Sequence, residues 1–414
     1  MTTRAPERRP PAPPPAPPAD APRRIRIPAF LLVSLAAILG ATLYPSSYEG
    51  ALGWDGCILC GDRGLADALL NVVLFAPLGA ALARLGVRPL RAIAAAAALS
   101  VCIELAQLLI PGRDPAPPDL LFNTLGGAVG WVIGMRLGVL LRPSPHVAGR
   151  MAVAWSLLFA AAIAATGWLT APAPPPGPYV GQWTPEIGDY PLLPARILDA
   201  RIGGVPVFYD EFGPRAAVRA ALARGDRIDI EWIVGWRIGR SAPLLRIVGR
   251  GGEEAAAVFI RGEDAIFIHR TRAAALLLDQ PTHAAHDVIR GIVPGDTLRL
   301  AVWLDGRATE LRTDAGYAAR NAMGPGRGWA LLWSVMGMTR DVERLLDGLW
   351  IALWMLPLGL WMRRRALSLP ALPIAAAALA LLPPLVSLAP PGPVEIIGAL
   401  VGLLAGAALG RIVR

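Results

Sequence analysis

The sequence contains no lysine, and only 17% of its 414 residues are charged. A soluble globular protein carries roughly 25% charged residues, so this composition, with 54% hydrophobic residues, argues against an ordinary soluble domain. The net charge of +9 would suit a nucleic-acid-binding protein. However, segment 172–345 holds 21 arginines against 20 acids, and the remaining arginines lie at the ends of apolar runs. Such a distribution orients a membrane protein and predicts no nucleic-acid partner.

Familiar catalytic motifs are also missing. The sequence has no GxSxG, HExxH, Walker or dinucleotide-binding motif, so it gives no sign of those enzyme classes. It has three cysteines, and Cys57 and Cys60 have no second pair with which to bind zinc. In an oxidising compartment we expect these two to form a small disulfide, with free thiols as the alternative. We interpret His283 and His286 as surface residues of a loop.

Long apolar runs dominate what is present. A helix needs about 20 mostly apolar residues to cross a hydrocarbon core of ~30 Å. We predict eight spanning helices, at Pro28–Ser46, Ala66–Gly86, Leu90–Ile110, Leu120–Leu141, Met151–Ala171, Leu346–Met362, Leu367–Ala389 and Pro393–Val413. The first is interpreted as an anchor, because no small-residue cleavage site follows it. The Pro/Arg-rich tail, residues 1–27, precedes it, and we expect residues 1–22 to be disordered.

Arginines in the short loops predict the orientation. With eight spans, all the basic loops and both termini fall on one side, and the opposite short loops hold only Arg63 and Arg113. We therefore predict cytoplasmic termini, with the long segment after the fifth helix on the outer side. Tryptophans flank the point where the chain returns to the membrane, as an interfacial belt would: Trp329, Trp333, Trp350 and Trp354.

Segment 172–345 changes to a period of two. Ile228, Ile230 and Trp232 alternate with acids, which predicts a strand. The runs 257–260 and 265–269 predict one hairpin, and Asp305-Gly306 predicts the turn of another. Roughly ten short strands in this length are typical of a sandwich or jelly roll. The predicted fold is an α-helical polytopic membrane bundle, 28–171 and 346–414, with an inserted all-β, jelly-roll-like sandwich domain outside the cytoplasm.

Polar residues inside apolar helices are costly and face a protein interior or a cavity. In the second to fourth predicted helices such residues stand three or four apart, on one helical face. The loop between the third and fourth helices adds an arginine and an aspartate. The predicted topology brings all of them within about two turns of the outer helix ends. The candidate cluster is Asp67, Asn71, Glu104, Gln107, Arg113, Asp114, Asp119 and Asn123.

These spacings resemble those of the VanZ-like family. The motifs that carry the resemblance are Asp67-x3-Asn71 with 75–79 (Phe-Ala-Pro-Leu-Gly), Glu104-x2-Gln107 with Pro111-x-Arg113, and Asp119-x3-Asn123 with Gly126 and Gly130. The resemblance covers Pro28 to Leu141. It implies a bacterial cell-envelope protein of the cytoplasmic membrane. The family is named after a teicoplanin-resistance protein, so it implies a glycopeptide-resistance theme but no established reaction. The β segment more distantly resembles concanavalin A-like or LamG-like jelly rolls, which accompany some VanZ-like proteins.

Three roles remain open for the cluster. Arg113 could fork onto phosphate oxygens while Asp67, Glu104 and Asp119 hold a divalent cation. The same groups could carry protons, or they could only lock three helices together through hydrogen bonds. The first hypothesis is a non-enzymatic protein that binds a polar or lipid-linked glycan or peptidoglycan-related intermediate. The second is a membrane enzyme or transporter that acts on such a compound. We read the glycines of the fourth helix, from Gly126 to Gly134, as a surface for close helix packing.

Overall fold

The computed structural model describes residues 23–45, 57–59, 61–111, 113, 116–187, 190–209, 215–304, 307–334, 336, 338–362 and 370–412. The predicted disordered tail, Cys60, Asp114 and the turn residues Asp305 and Gly306 lie outside these ranges. Five helices come first. They are α1 (Arg23–Leu43), α2 (Gly64–Arg84), α3 (Pro89–Gln107), α4 (Pro117–Leu141) and α5 (Pro145–Leu169).

A β domain follows α5. Its strands are β1 (Tyr179–Trp183), β2 (Arg196–Ile202), β3 (Val205–Pro206), β4 (Ile228–Ile233), β5 (Ala242–Gly249), β6 (Glu254–Arg261), β7 (Asp264–His269), β8 (His283–Ala285), β9 (Thr297–Leu304), β10 (Ala308–Thr313) and β11 (Ala318–Ala322). Two short helices, α6 (Arg215–Arg224) and α7 (Arg272–Ala275), lie between strands, and a 3₁₀ helix (Pro325–Leu331) follows β11. The antiparallel sheets have the orders β1-β5-β6-β7-β8 and β11-β10-β9-β4-β2-β3, and one hydrophobic core joins them.

The period-two pattern predicted these strands correctly. In β4 the side chains of Ile228, Ile230 and Trp232 are buried and alternate with half-buried neighbours. Strands β6 and β7 form the predicted hairpin, and Gly262 in its turn adopts φ +61°, a conformation that glycine reaches without strain. Strands β9 and β10 pair as predicted, with Leu304 opposite Thr309.

Three helical elements end the described chain, and here one prediction is wrong. They are α8 (Arg340–Trp361), α9 (Ala371–Ala380) with a 3₁₀ helix (Pro383–Val386) after it, and α10 (Pro393–Ile412). The predicted seventh span was one helix over Leu367–Ala389. Instead α9 has 10 residues, about 15 Å of helix, because Pro383 and Pro384 cannot continue it.

Six described helices are long and apolar enough to cross a membrane: α2, α3, α4, α5, α8 and α10. Two of the eight predicted spans, α9 and the apolar part of α1 (Pro28–Leu43), are shorter. The fold is therefore a helical membrane part joined to a two-sheet β domain.

Helices α2 and α4 pack in parallel with almost no space between their backbones. A Cβ atom on Gly126 would lie 2.6 Å from the Val72 carbonyl oxygen, and one on Gly134 would lie 2.6 Å from that of Ala80. Gly130, between them, lies directly against the Ala76 carbonyl. The glycine surface predicted from the sequence is thus a helix–helix contact, as small residues in membrane helices provide.

Helices α8 and α10 repeat this arrangement. Gly398, Gly402 and Gly406 lie against the backbones of Gly348, Ala352 and Leu356, again in parallel. The two pairs also share sequence spacings, although they lie far apart in the chain, on either side of the β domain.

The shared spacings assign corresponding positions. Asp67 precedes a Pro-Leu-Gly sequence by ten residues, and Asp347 precedes another by ten residues. Gly79, which ends the first Pro-Leu-Gly, lies against the Gly127 carbonyl, and Gly359, which ends the second, lies against the Leu403 carbonyl. Asp119 stands eight residues before Gly127 and Glu395 eight residues before Leu403, so these two acids correspond. Segments 93–97 of α3 and 374–378 of α9 both read Ile-Ala-Ala-Ala-Ala. We call α2–α4 the first unit and α8–α10 the second unit.

The β domain rests on the N-terminal end of α2. The carbonyl of Leu277 accepts hydrogen bonds from the backbone amides of Leu65 (3.0 Å) and Ala66 (3.2 Å). These amides belong to the first turn of α2, which has no helical partner for them. Ala66 also packs in one cluster with Leu278 and Leu331. The domain therefore caps the helix end where the candidate cluster lies.

Candidate functional site

The described candidate residues lie at the domain-facing end of α1–α4. We use the name polar cluster for Arg63, Asp67, Asn71, Glu104, Gln107, Arg113, Asp119 and Asn123. Asn71 of α2 donates from Nδ2 to Oδ1 of Asp119 in α4 at 2.8 Å. The glycine contacts hold these two helices close together, so their polar side chains can meet. Asp119 also lies in the first turn of α4, where a helix favours negative charge.

Glu104 joins the third helix to the same place. Its Oε2 accepts a hydrogen bond of 2.7 Å from the backbone amide of Ala116, the residue at which α4 begins. This contact satisfies one of the amides that a helix start leaves without a partner. It also brings the Glu104 carboxylate within electrostatic range of Asp119.

Arg63 connects the polar cluster to the β domain. Arg63 Nη2 lies 3.6 Å from Asp67 Oδ1, and Arg63 Nε lies 3.3 Å from Oδ2 of Asp279 in the β domain. Burial raises the pKa of Asp279, while the Arg63 guanidinium opposes that rise. The Asp67 side chain is 55% exposed, so the cluster is accessible at this point. Sequence reasoning missed Asp279, because its partner lies in a different domain.

Two predicted members of the polar cluster, Arg113 and Gln107, bond to the end of α1. Arg113 donates from Nε to the Tyr44 carbonyl at 2.8 Å and from Nη2 to the Ala41 carbonyl at 3.1 Å. Gln107 donates from Nε2 to the carbonyl of Thr42 at 3.0 Å. Both side chains thus bond to carbonyls at the C-terminal end of α1, which have no partner within the helix. The guanidinium group of Arg113, which the sequence suggested as a phosphate ligand, instead bonds to carbonyls at the end of α1.

Two buried acceptors in the cluster have no partner. Asn123 donates from Nδ2 to Ser100 Oγ at 2.9 Å, but its Oδ1 is unpartnered, as is Oε1 of Gln107. Asn123 is only 2% exposed and Gln107 only 6% exposed. Leaving a buried acceptor without a hydrogen bond costs about 1–3 kcal/mol. The cluster therefore offers two positions for hydrogen-bond donors.

The charges also favour donors. Four carboxylates, those of Asp67, Glu104, Asp119 and Asp279, stand against the guanidinium groups of Arg63 and Arg113 in this region. Within the described ranges, no three histidine, cysteine, aspartate or glutamate side chains lie close enough together to hold a metal ion. The unpartnered oxygens and the acidic side chains of this region suit an N–H or O–H donor.

The match to a known family falls on this part of the chain. Residues 30–141 match the model of the VanZ/LLP1 family. They are VanZ-like. A search of curated proteins and a search of solved structures each found no match. The resemblance read from the motifs of the membrane part is thus confirmed, and the concanavalin-like resemblance of the β domain is not.

The second unit has an acidic site at the position that corresponds to the VanZ-like cluster. Here Arg327, from the 3₁₀ helix after β11, donates from Nη2 to Asp347 Oδ2 at 3.2 Å, and its Nη1 lies 3.1 Å from Glu343 Oε2. The backbone amide of Gly326 donates to Glu395 Oε1 at 2.6 Å. Asp347 and Glu395 correspond to Asp67 and Asp119 of the VanZ-like unit. The chain's own guanidinium group therefore fills the second site.

The remaining candidates lie outside the VanZ-like cluster. Cys60 is not among the described residues, so its disulfide with Cys57 stays a prediction. The interpretation of His283 as a surface residue of a loop is wrong. It begins β8, is 7% exposed, and stacks on His269 of β7. His286 is partly buried, with Nδ1 3.0 Å from Asp264 Oδ2. Strand β8 ends at Ala285, so His286 lies in the following turn, and the partner of His283 comes from the neighbouring strand.

Proposed function

We propose that this protein is a binding protein of the bacterial cell envelope, and that the VanZ-like polar cluster holds the amine-bearing headgroup of a lipid or lipid-linked intermediate. The observation that carries the proposal is the filled site of the second unit. There, a nitrogen cation with several N–H donors, Arg327, contacts Glu343 and Asp347. A primary ammonium group offers the same charge and three donors.

The polar cluster has two cations of its own, and both are engaged. Arg113 donates to carbonyls at the end of α1, and Arg63 lies between Asp67 and Asp279. The unpartnered oxygens of Gln107 and Asn123 remain for donors of a ligand. An ammonium headgroup would place positive charge among the carboxylates and supply those donors.

The location suits a ligand that stays in the membrane. Asp67 and Asn71 lie in the first two turns of α2, where an interfacial headgroup would sit if the helices span the bilayer. On the orientation predicted from arginine, this end faces outward. The β domain then stands outside the membrane and covers the headgroup from above, with Asp279 as its contribution.

Complementation tests this function in cells. A strain that lacks the gene would be scored for glycopeptide sensitivity and complemented with wild type, with the double variant Asp67→Asn/Asp119→Asn, or with Asp341→Asn. The double variant keeps size and most hydrogen bonds but deletes two charges, so we expect loss of complementation at normal protein levels. Asp341, whose side chain is 96% exposed on α8, is the matched control. Full complementation by the double variant would reject the site.

A further inference from the structure

A second cavity lies where the β domain meets the end of α5. Its volume is about 160 Å³. Thr170 and Gly167 line it from the helical side, and His269, His283 and Thr309 line it from the β domain. None of these residues belongs to the polar cluster, so the cavity is a separate place in the fold.

The cavity wall carries buried polar atoms without partners. His269 and His283 are each 7% exposed and Thr309 is 4% exposed. In the described part of the chain, Nε2 of His283, Oγ1 of Thr309 and both ring nitrogens of His269 lack a hydrogen bond of ordinary geometry. The Thr170 carbonyl lies near the His269 ring without meeting that geometry. Because buried polar groups are normally paired, several unpaired ones around one cavity make it a candidate ligand site.

Both imidazole rings are uncharged at neutral pH. Burial lowers the pKa of His269 to about 4, although the Thr170 carbonyl opposes this shift. Burial, the neighbouring His269 and Arg327 lower the pKa of His283 well below 6.5. A neutral imidazole keeps one N–H donor and one acceptor, so each ring can still donate to a ligand.

The charged residues around the cavity favour a negatively charged ligand. Arg224 and Arg307 line it, and no carboxylate does so within the described ranges. Arg224 is paired with Asp226, whereas Arg307 makes a single hydrogen bond of 3.2 Å to the Pro384 carbonyl. A guanidinium group beside hydroxyl and imidazole donors suits an oxyanion, and the positive charge of the guanidinium disfavours a metal cation.

We propose that this cavity binds a small oxyanion of the phosphate class. The Thr309 hydroxyl and the His283 imidazole donate to it from the inside, and the Arg307 guanidinium closes the rim. The cavity lies beside the end of α5, so the oxyanion is either free inorganic phosphate or the phosphate group of a lipid.

Calorimetry on the purified full-length protein tests the proposal, with inorganic phosphate titrated against chloride at matched ionic strength. For the lipid source, the same protein is placed in nanodiscs with phosphatidic acid or with phosphatidylcholine alone, and retained lipid is measured by native mass spectrometry. Saturable binding of phosphate, or selective retention of phosphatidic acid, supports the site and identifies its source. The absence of both would overturn it.

Two variants with matched controls locate the binding. Thr309→Val removes the hydroxyl at constant shape, and Thr313→Val does the same on the same strand, where the hydroxyl accepts a bond from the Tyr317 amide. Arg307→Gln removes the rim charge, and Arg312→Gln is its control. We expect each cavity variant to weaken binding about tenfold or more, the effect of losing a charge-assisted or buried hydrogen bond, and each control less than about twofold.

Arg307 is exposed, so its variant folds even if Thr309→Val does not. Binding that is unchanged in Arg307→Gln and in every folded form of Thr309→Val would contradict the assignment. Binding that is weakened equally in the control variants would contradict the assignment as well.

Discussion

Gly130 in α4 lies against the backbone carbonyl of Ala76 in α2, and no side chain fits between them. This contact fixes how α2 and α4 pack in parallel, and so it fixes where Asn71 meets Asp119. The corresponding contact in the second unit, Gly406 against the Leu356 carbonyl, does the same for α8 and α10. Packing of small residues therefore sets the geometry of both polar sites.

Gly130→Ala should destabilise the protein. The added methyl group would force the two backbones apart, and overpacking costs typically 1–3 kcal/mol. The control is Gly138→Ala in the same helix, where an added Cβ meets no atom within 4 Å. Unfolding in micelles, followed by circular dichroism, measures both. Equal stability of the two variants would show that the close contact is unimportant.

The arginine distribution predicts topology, which the contacts within the structure do not test. Alkaline phosphatase fused after Gly225 should be active, because the β domain is predicted to be outside. The same enzyme fused after Arg365 should be inactive, because that arginine-rich loop is predicted to be cytoplasmic. The reverse pattern would mean that the bundle has the opposite orientation in the membrane. The polar cluster would then not lie on the outer side.

Stability should fall in mild acid because His269 is buried in its neutral form. Its pKa is about 4 in the folded protein and about 6.5 when unfolded. Between these values the unfolded chain binds a proton that the folded chain does not, so folding stability decreases as the pH falls from 6.5 to 4. The loss from this residue is at most about 3 kcal/mol.

Unfolding free energies at pH 7 and pH 4.5 measure this effect. His269→Leu should lose less stability than wild type over this interval, since it has no imidazole to protonate. His146→Leu, which replaces an exposed histidine, is the control and should behave as wild type. An unchanged pH dependence in His269→Leu would mean that the burial of His269 does not contribute to acid sensitivity.

The sequence predicted the features that depend on local spacing. The alternation in 228–232 identified β4, and the glycine series identified the packing face of α4. Polar residues four apart correctly placed Asn71 and Asp119 at one end of the bundle. Each of these rests on a periodicity that neighbouring residues carry, so one sequence suffices to read it.

Features that depend on distant partners were not predictable in this way. The sequence offers Arg113 as a possible phosphate ligand, one of three open roles, but its donors bond to the carbonyls at the end of α1. His283 was placed on the surface because its partner, His269, lies on another strand. Asp279 carried no signal at all, since its pairing with Arg63 arises only when the β domain docks on α2.

The central claim is that the polar cluster binds an amine-bearing headgroup, and lipid retention measures this directly. The protein would be reconstituted with equal amounts of phosphatidylethanolamine and phosphatidylglycerol, and the retained lipid counted by native mass spectrometry. The arginine-lined cavity would favour the net-negative phosphatidylglycerol, so a preference for phosphatidylethanolamine cannot come from that cavity. We predict a preference for phosphatidylethanolamine in wild type and in Asp341→Asn, and its loss in Asp67→Asn/Asp119→Asn. Equal retention of the two lipids by wild type, or a preference that persists in the double variant, would contradict the account.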